Sequence, residues 1–338
     1  MALDVPASPM DEDRELDVNT EVRVADESAM AAEAAGLSAR QVQRGSVTRI
    51  VTPTISVRKR LHELWLSREL IVYLVRTEIK VKYKNSVLGI VWSMLAPAMS
   101  LAIYWFVFAV VLRNGIPNFV IFLFAGLLLW NLFQFGVLTG TGTVVNNAGI
   151  VKKVSFPREI LALASVGSAC VFFFFQAIVL VFFLVLLRMA PAWDYVPVLL
   201  LALVAGVVLA SAIAVLLSSV NVYLRDTQHL IEVILTAWFW ACPIVYSFQL
   251  QIESRLGPKG LTWVYFLDPL VPLVLSFQRC IYAHTTVLIG GVPKQVLPPD
   301  GMLWYVTLDL GVLVLSAILF LVALAIFGRL EGNFAEEL

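Results

Sequence analysis

Residues able to do chemistry are few in this chain, and they are scattered. The three histidines, His62, His229 and His284, stand far apart and in no metal-ligand spacing. No H-E-x-x-H, G-x-S-x-G or Walker A sequence is present. The cysteines Cys170, Cys242 and Cys280 form no C-x-x-C pair, and the first two fall in apolar stretches. They read as packing residues rather than as a disulfide or zinc framework. Two acids sit inside apolar stretches, Glu232 and Asp309. Each is a snorkelling or hydrogen-bonded group, or else couples transport to an ion. Ion-coupled carriers place ionisable groups at mid-membrane, and here the apolar stretches are almost free of charge. No inverted repeat is visible. The energy for any transport therefore lies on another polypeptide.

The elements that carry these residues follow from composition. Of 338 residues, 60% are hydrophobic and 14% charged, and the mean hydropathy is +0.86. One soluble core cannot hide that much apolar surface, so lipid is the solvent for much of it. Six apolar stretches, at about 88–112, 118–139, 161–187, 196–220, 229–248 and 303–327, are long enough to cross about 30 Å of hydrocarbon. The expected fold is an all-α polytopic membrane protein with six transmembrane helices spread over residues 87–330, and a tail at 331–338. Bases flank the first stretch, and Lys152, Lys153 and Arg158, then Arg225, then Arg329 follow the second, fourth and sixth. The excess of bases on one side places both termini in the cytoplasm.

Three segments depart from that plan. Residues 1–46 hold ten acids and four arginines with few large apolar residues, which predicts a disordered acidic extension and no signal peptide. Residues 47–86 are basic. Leu61, Leu64, Trp65, Ile71, Val72 and Val75 alternate there with Arg60, Arg68, Arg76 and Lys80. That pattern fits an amphipathic helix in the headgroup plane, touching membrane lipids, or a docking helix for a soluble partner. Residues 249–302 are external, with an apolar middle from Leu261 to Phe277 broken by Pro269 and Pro272. They read as re-entrant helices, against the alternative of a partly buried loop.

Four short segments carry a family resemblance. They are Lys82-Tyr83-Lys84-Asn85-Ser86-Val87-Leu88-Gly89 with Trp92 and Pro97; Lys152-Lys153-Val154-Ser155-Phe156-Pro157-Arg158-Glu159-Ile160-Leu161; Asn221-Val222-Tyr223-Leu224-Arg225-Asp226 with Trp238-Phe239-Trp240 and Pro243; and Asp268-Pro269-Leu270 with Pro272 and Arg279. In order and position they resemble the permease subunits of ATP-binding-cassette type 2 exporters, most of all the group exporting O-antigen, teichoic acid or galactan chains on polyprenyl carriers. Asp268 stands where that group commonly has Asn. On the residues alone the 152–159 loop is an ordinary basic turn. There, Pro157 can start a helix and Glu159 suits its positive end.

The resemblance implies a homodimer in the bacterial plasma membrane, with two cytoplasmic ATPase subunits that carry the ATP and Mg. This chain would bind no cofactor and catalyse no reaction itself. It implies that Lys152, Lys153, an exposed Phe156, Pro157, Arg158, Glu159, Arg225 and Asp226 contact the ATPase. The polyprenyl-linked polysaccharide would pass along the first and fifth spans. There Trp92, Tyr104, Trp105, Phe108, Trp238, Phe239 and Trp240 are candidate channel aromatics, against the alternative of lipid-facing aromatics. Arg58, Lys59 and Arg60 are candidates for a lipid pyrophosphate, with anionic-lipid contact as the competing reading. Asp268, Pro269, Pro272 and Arg279 mark the external segment. A membrane-embedded glycosyl- or acyltransferase would need clustered acids or histidines, which are absent; a small-drug exporter is the remaining alternative. Nothing points to nucleic acid.

Overall fold

Backbone amides in an apolar environment must bond within the chain, and helices do this locally. The computed structural model describes residues 57–84, 86, 89–111, 116–154, 156–289 and 291–338, and these are mostly helical. The acidic extension at 1–46, and residues 47–56 of the basic segment, lie outside the described residues. In chain order the helices are α1 (Val57–Leu66), α2 (Arg68–Lys82), α3 (Trp92–Trp105, continued by a π-helical stretch Phe106–Val111), α4 (Phe119–Asn146), α5 (Glu159–Leu186), α6 (Val196–Tyr223), α7 (Thr227–Ala241), α8 (Leu270–Ile281) and α9 (Met302–Leu330). A two-stranded antiparallel hairpin, β1 (Thr286–Ile289) and β2 (Val292–Gln295), sits between α8 and α9. Its two-residue turn ends on Gly291 at φ +82°, the left-handed region that glycine enters without strain.

Four helices are long and apolar enough to cross a membrane: α4, α5, α6 and α9. Of them, α4 is the most enclosed, packed on α5, α6 and α8. Its approach to α6 depends on glycine: a Cβ on Gly140 would lie 2.7 Å from the Ala214 Cβ. Small residues let two apolar helices come this close, where dispersion contacts replace the missing hydrophobic drive. Hydroxyls on the spans are satisfied within their own helix, as Thr141 Oγ1 donates to the Val137 carbonyl at 2.7 Å and Ser316 Oγ to Val312 at 2.7 Å.

The other two expected spans are shorter. α7 ends at Ala241, not near 248, because Cys242 precedes Pro243 and takes extended backbone, φ −75° and ψ 144°. A residue before proline is pushed out of the helical region in this way. Between α7 and α8 the chain makes short helical turns. α8, only twelve residues long, is buried at almost every position. One end of the bundle carries the 152–158 loop, α1 and the chain's C-terminus; the other carries the hairpin. They are called the loop end and the hairpin end below.

Candidate functional site

At the loop end, residues from three distant segments meet in one charged knot. Arg60 of α1 pairs with Glu159, the first residue of α5, and its Nη2 lies 2.9 Å from Glu331 Oε2 just past α9. Glu159 is only 1% exposed. Burial works against the Arg60 charge, but the two carboxylates outweigh it and hold its pKa above the ordinary value. Arg158 closes the knot, donating from Nη1 to the Glu331 carbonyl at 2.9 Å and standing 5.7 Å from the Phe334 ring centre. Phe334 is fully buried, against Phe327 and Tyr223. Gly328 makes room for the guanidinium, because a Cβ there would lie 2.7 Å from Arg60 Cζ.

This geometry divides the residues expected at the ATPase. Lys152, Lys153, Arg225 and Asp226 are exposed. Phe156, expected to protrude, is half-buried and packs on the core, and Pro157 is half-buried beside it. Arg158 and Glu159 face inward. Asp226 holds the position before α7, but its side chain makes no capping bond. Of the three bases considered for pyrophosphate, Arg58 and Lys59 are exposed, with Lys59 3.8 Å from Glu63, whereas Arg60 is engaged by carboxylates.

Higher in the bundle lies a cavity of about 790 Å³ between α3, α4, α5 and α7. Trp92, Tyr104, Phe239 and Trp240 line it. Tyr104 stacks on Phe239 at 5.8 Å, and Trp130 tilts against Phe239 at 5.5 Å. Trp105 is exposed, Phe108 packs on Phe119 at 6.0 Å, and Trp238 packs edge-on against Phe133 at 5.4 Å; none of these three lines the cavity. Between the rings stand carboxamides. Asn131 Nδ2 donates to Gln176 Oε1 at 2.8 Å, and Trp130 Nε1 to Gln134 Oε1 at 2.9 Å.

Residues 69–282 match the ABC-2 type transporter family. The chain belongs to this family. Among curated proteins it is similar to the O-antigen export system permease protein RfbA of Myxococcus xanthus, 34% identical over 232 residues, which are 66% of this chain and 84% of that protein. It is also similar to the protein of the same name from Klebsiella pneumoniae, 28% identical over 270 residues, 80% of this chain and 95% of that one.

At the hairpin end of this ABC-2 chain, Asp268 accepts from the Leu270 amide at 2.9 Å and from Cys242 Sγ at 3.2 Å. It thus starts α8 and ties it to the end of α7. Pro269 precedes α8 and Pro272 is buried in its first turn. Arg279 lies 4.1 Å from the Tyr195 ring centre and donates to the Ala283 carbonyl at 2.9 Å. Asp309, fully buried, accepts from Ser276 Oγ at 2.8 Å. Glu232 is exposed on α7. Motif reading missed Trp130, Asn131, Gln134 and Gln176 as cavity residues. Their signal was present: amides at i and i+3 on an otherwise apolar helix share one face.

Proposed function

We propose that the chain is the permease subunit of an ATP-driven exporter that moves lipid-linked polysaccharide from the cytoplasm across the plasma membrane. The observation that carries this reading is the similarity to O-antigen export permeases over most of their length. The cavity supports it independently. Aromatic faces pack against the apolar C–H faces of sugar rings, and carboxamides bond hydroxyls, so the lining suits a saccharide better than an ion.

In this reading two copies of the chain form the pathway, with α3 and α7 as its shorter spans and α8 as a re-entrant helix. The loop end is cytoplasmic, as its bases require. Two ATPase subunits bind there and supply ATP and Mg. The exposed Lys152 and Lys153 touch them, while Arg158, Glu159 and Arg60 carry the movement inward to α1 and α9. The test is co-expression with an ATPase encoded beside the gene, followed by co-elution, ATP hydrolysis and polysaccharide export. Lys152→Ala with Lys153→Ala is expected to lower co-elution and export together. A wild-type chain that binds no ATPase yet moves solute or transfers a sugar by itself overturns the reading.

A further inference from the structure

The cavity carries a single formal charge among its described lining residues, and it is positive: Lys82. This lysine ends α2, which packs along α5, Val75 against Gly167 and Glu78 against Ser168. Its ammonium lies 4.2 Å from the ring centre of Phe135 and 4.4 Å from that of Phe172. Phe172 is thirteen residues into α5, about 20 Å along the helix axis. Lys82 therefore stands deep in the bundle rather than at the rim, where such a group needs a specific reason. Among the described residues it makes no ion pair. Glu78, the nearest acid along α2, lies outside the cavity, and its carboxylate accepts from Ser168 Oγ at 2.7 Å.

The neighbours extend the pattern. Asn131 is four residues from Phe135, and Gln176 four residues from Phe172, both toward the hairpin end. The Asn131–Gln176 amide pair therefore sits one helical turn, about 5 Å, beyond the lysine. Each amide keeps bonding capacity after their mutual bond. A cation flanked by aromatic rings, with amides about one sugar ring further on, suits a phosphate joined to a sugar.

We propose that Lys82 with the Asn131–Gln176 pair forms a head-group subsite, holding the phosphate and first sugar of an isoprenoid-linked saccharide within each protomer. Lys82 neutralises the phosphate as a point charge. The amides bond the first sugar's hydroxyls, and Phe135 and Phe172 screen the charge from lipid. The inference rests on the polysaccharide-export reading and adds which part of the substrate enters this cavity.

The test is equilibrium binding to the full chain in nanodiscs, using radiolabelled undecaprenyl diphosphate. Undecaprenol, inorganic pyrophosphate and phosphatidylglycerol serve as competitors. Loss of one charged contact predicts about ten- to a hundredfold weaker binding in Lys82→Gln. Lys82→Arg retains most of the affinity, and Lys259→Gln on the external segment leaves it unchanged. A sugar on the diphosphate tightens binding to the wild type but not to Gln176→Leu. The inference is overturned if Lys82→Gln binds like the wild type or if undecaprenol competes as well as the diphosphate. Equal competition by phosphatidylglycerol (an ordinary lipid head group) or by pyrophosphate alone (a free phosphate site) overturns it too. The two readings fail separately. Diphosphate-lipid binding and export that ignore Lys82 overturn the subsite alone. A wild-type complex that binds no isoprenoid ligand and exports nothing overturns both.

Discussion

The two ends of the bundle are held by different chemistry. At the loop end, charge meets charge: Arg60 and Arg158 against Glu159 and Glu331. At the hairpin end, polar side chains meet carbonyls and hydroxyls. Tyr282 donates to the Pro117 carbonyl at 2.7 Å, Tyr305 to Pro298 at 2.9 Å, and Arg279 and Asp309 bond to separate partners rather than to each other. The ionic knot joins segments 99 and 271 residues apart, so it ties α1, α5 and α9 into one body. The hairpin end is held by pairwise bonds that can be lost singly. The difference teaches that the loop end resists piecemeal change and the hairpin end tolerates it.

The largest test of that contrast is Arg60→Ala, which strands the buried Glu159 carboxylate and is expected to destabilise by about 3–5 kcal/mol. Melting in detergent, followed by size exclusion, reads the loss. Arg60→Met with Glu159→Leu should recover most of it, since removing both charges removes the stranded one. If Arg60→Ala melts with the wild type, the knot does not hold the end. Next in size is Gly328→Ala. Arg60 is pinned by two carboxylates and cannot easily yield to the new methyl, so a cost of about 1–3 kcal/mol is expected. Gly311→Ala on the same helix meets open space and should be neutral or mildly stabilising by up to about 1 kcal/mol.

At the hairpin end the effects are smaller. Ser276→Ala should cost about 1 kcal/mol, the worth of one hydrogen bond, and Asp309→Asn less, because the acceptor oxygen remains. A full collapse on either change would mean that this end is as cooperative as the other. Smallest is Arg158→Gln, at about 1 kcal/mol or less. The loss should shrink further in 1 M salt, where screening shortens to about 3 Å.

How much of this was legible from the residues differs element by element. α4, α5, α6 and α9 were visible as long apolar runs, and the 152–159 segment was correctly placed as a loop between two of them. The end of α7 was misplaced although Pro243 marks it, because apolar residues continue past the proline and hide the stop. The hairpin was not anticipated either, though Gly290-Gly291 between two apolar runs is a two-residue turn signal. The knot was not legible at all. Arg60, Glu159 and Glu331 each look like solvated charges locally, and only tertiary packing brings them together. The aromatic candidates divide for the same reason: spacing places Trp105 and Trp240 on helices, but neighbours decide which faces a cavity.

The early stop of α7 has a consequence for the surrounding bilayer. Fifteen helical residues reach about 22 Å, against about 42 Å for the 28-residue α5 and α6. Beyond Ala241 the chain turns inward, with Cys242, Ile244 and Val245 buried, so the outward apolar wall ends there. Lipid lying against this side meets a wall about 8 Å shorter than the usual hydrocarbon thickness. The membrane must thin along that flank, and a thinner membrane is a lower barrier for any polar head group crossing from one leaflet to the other.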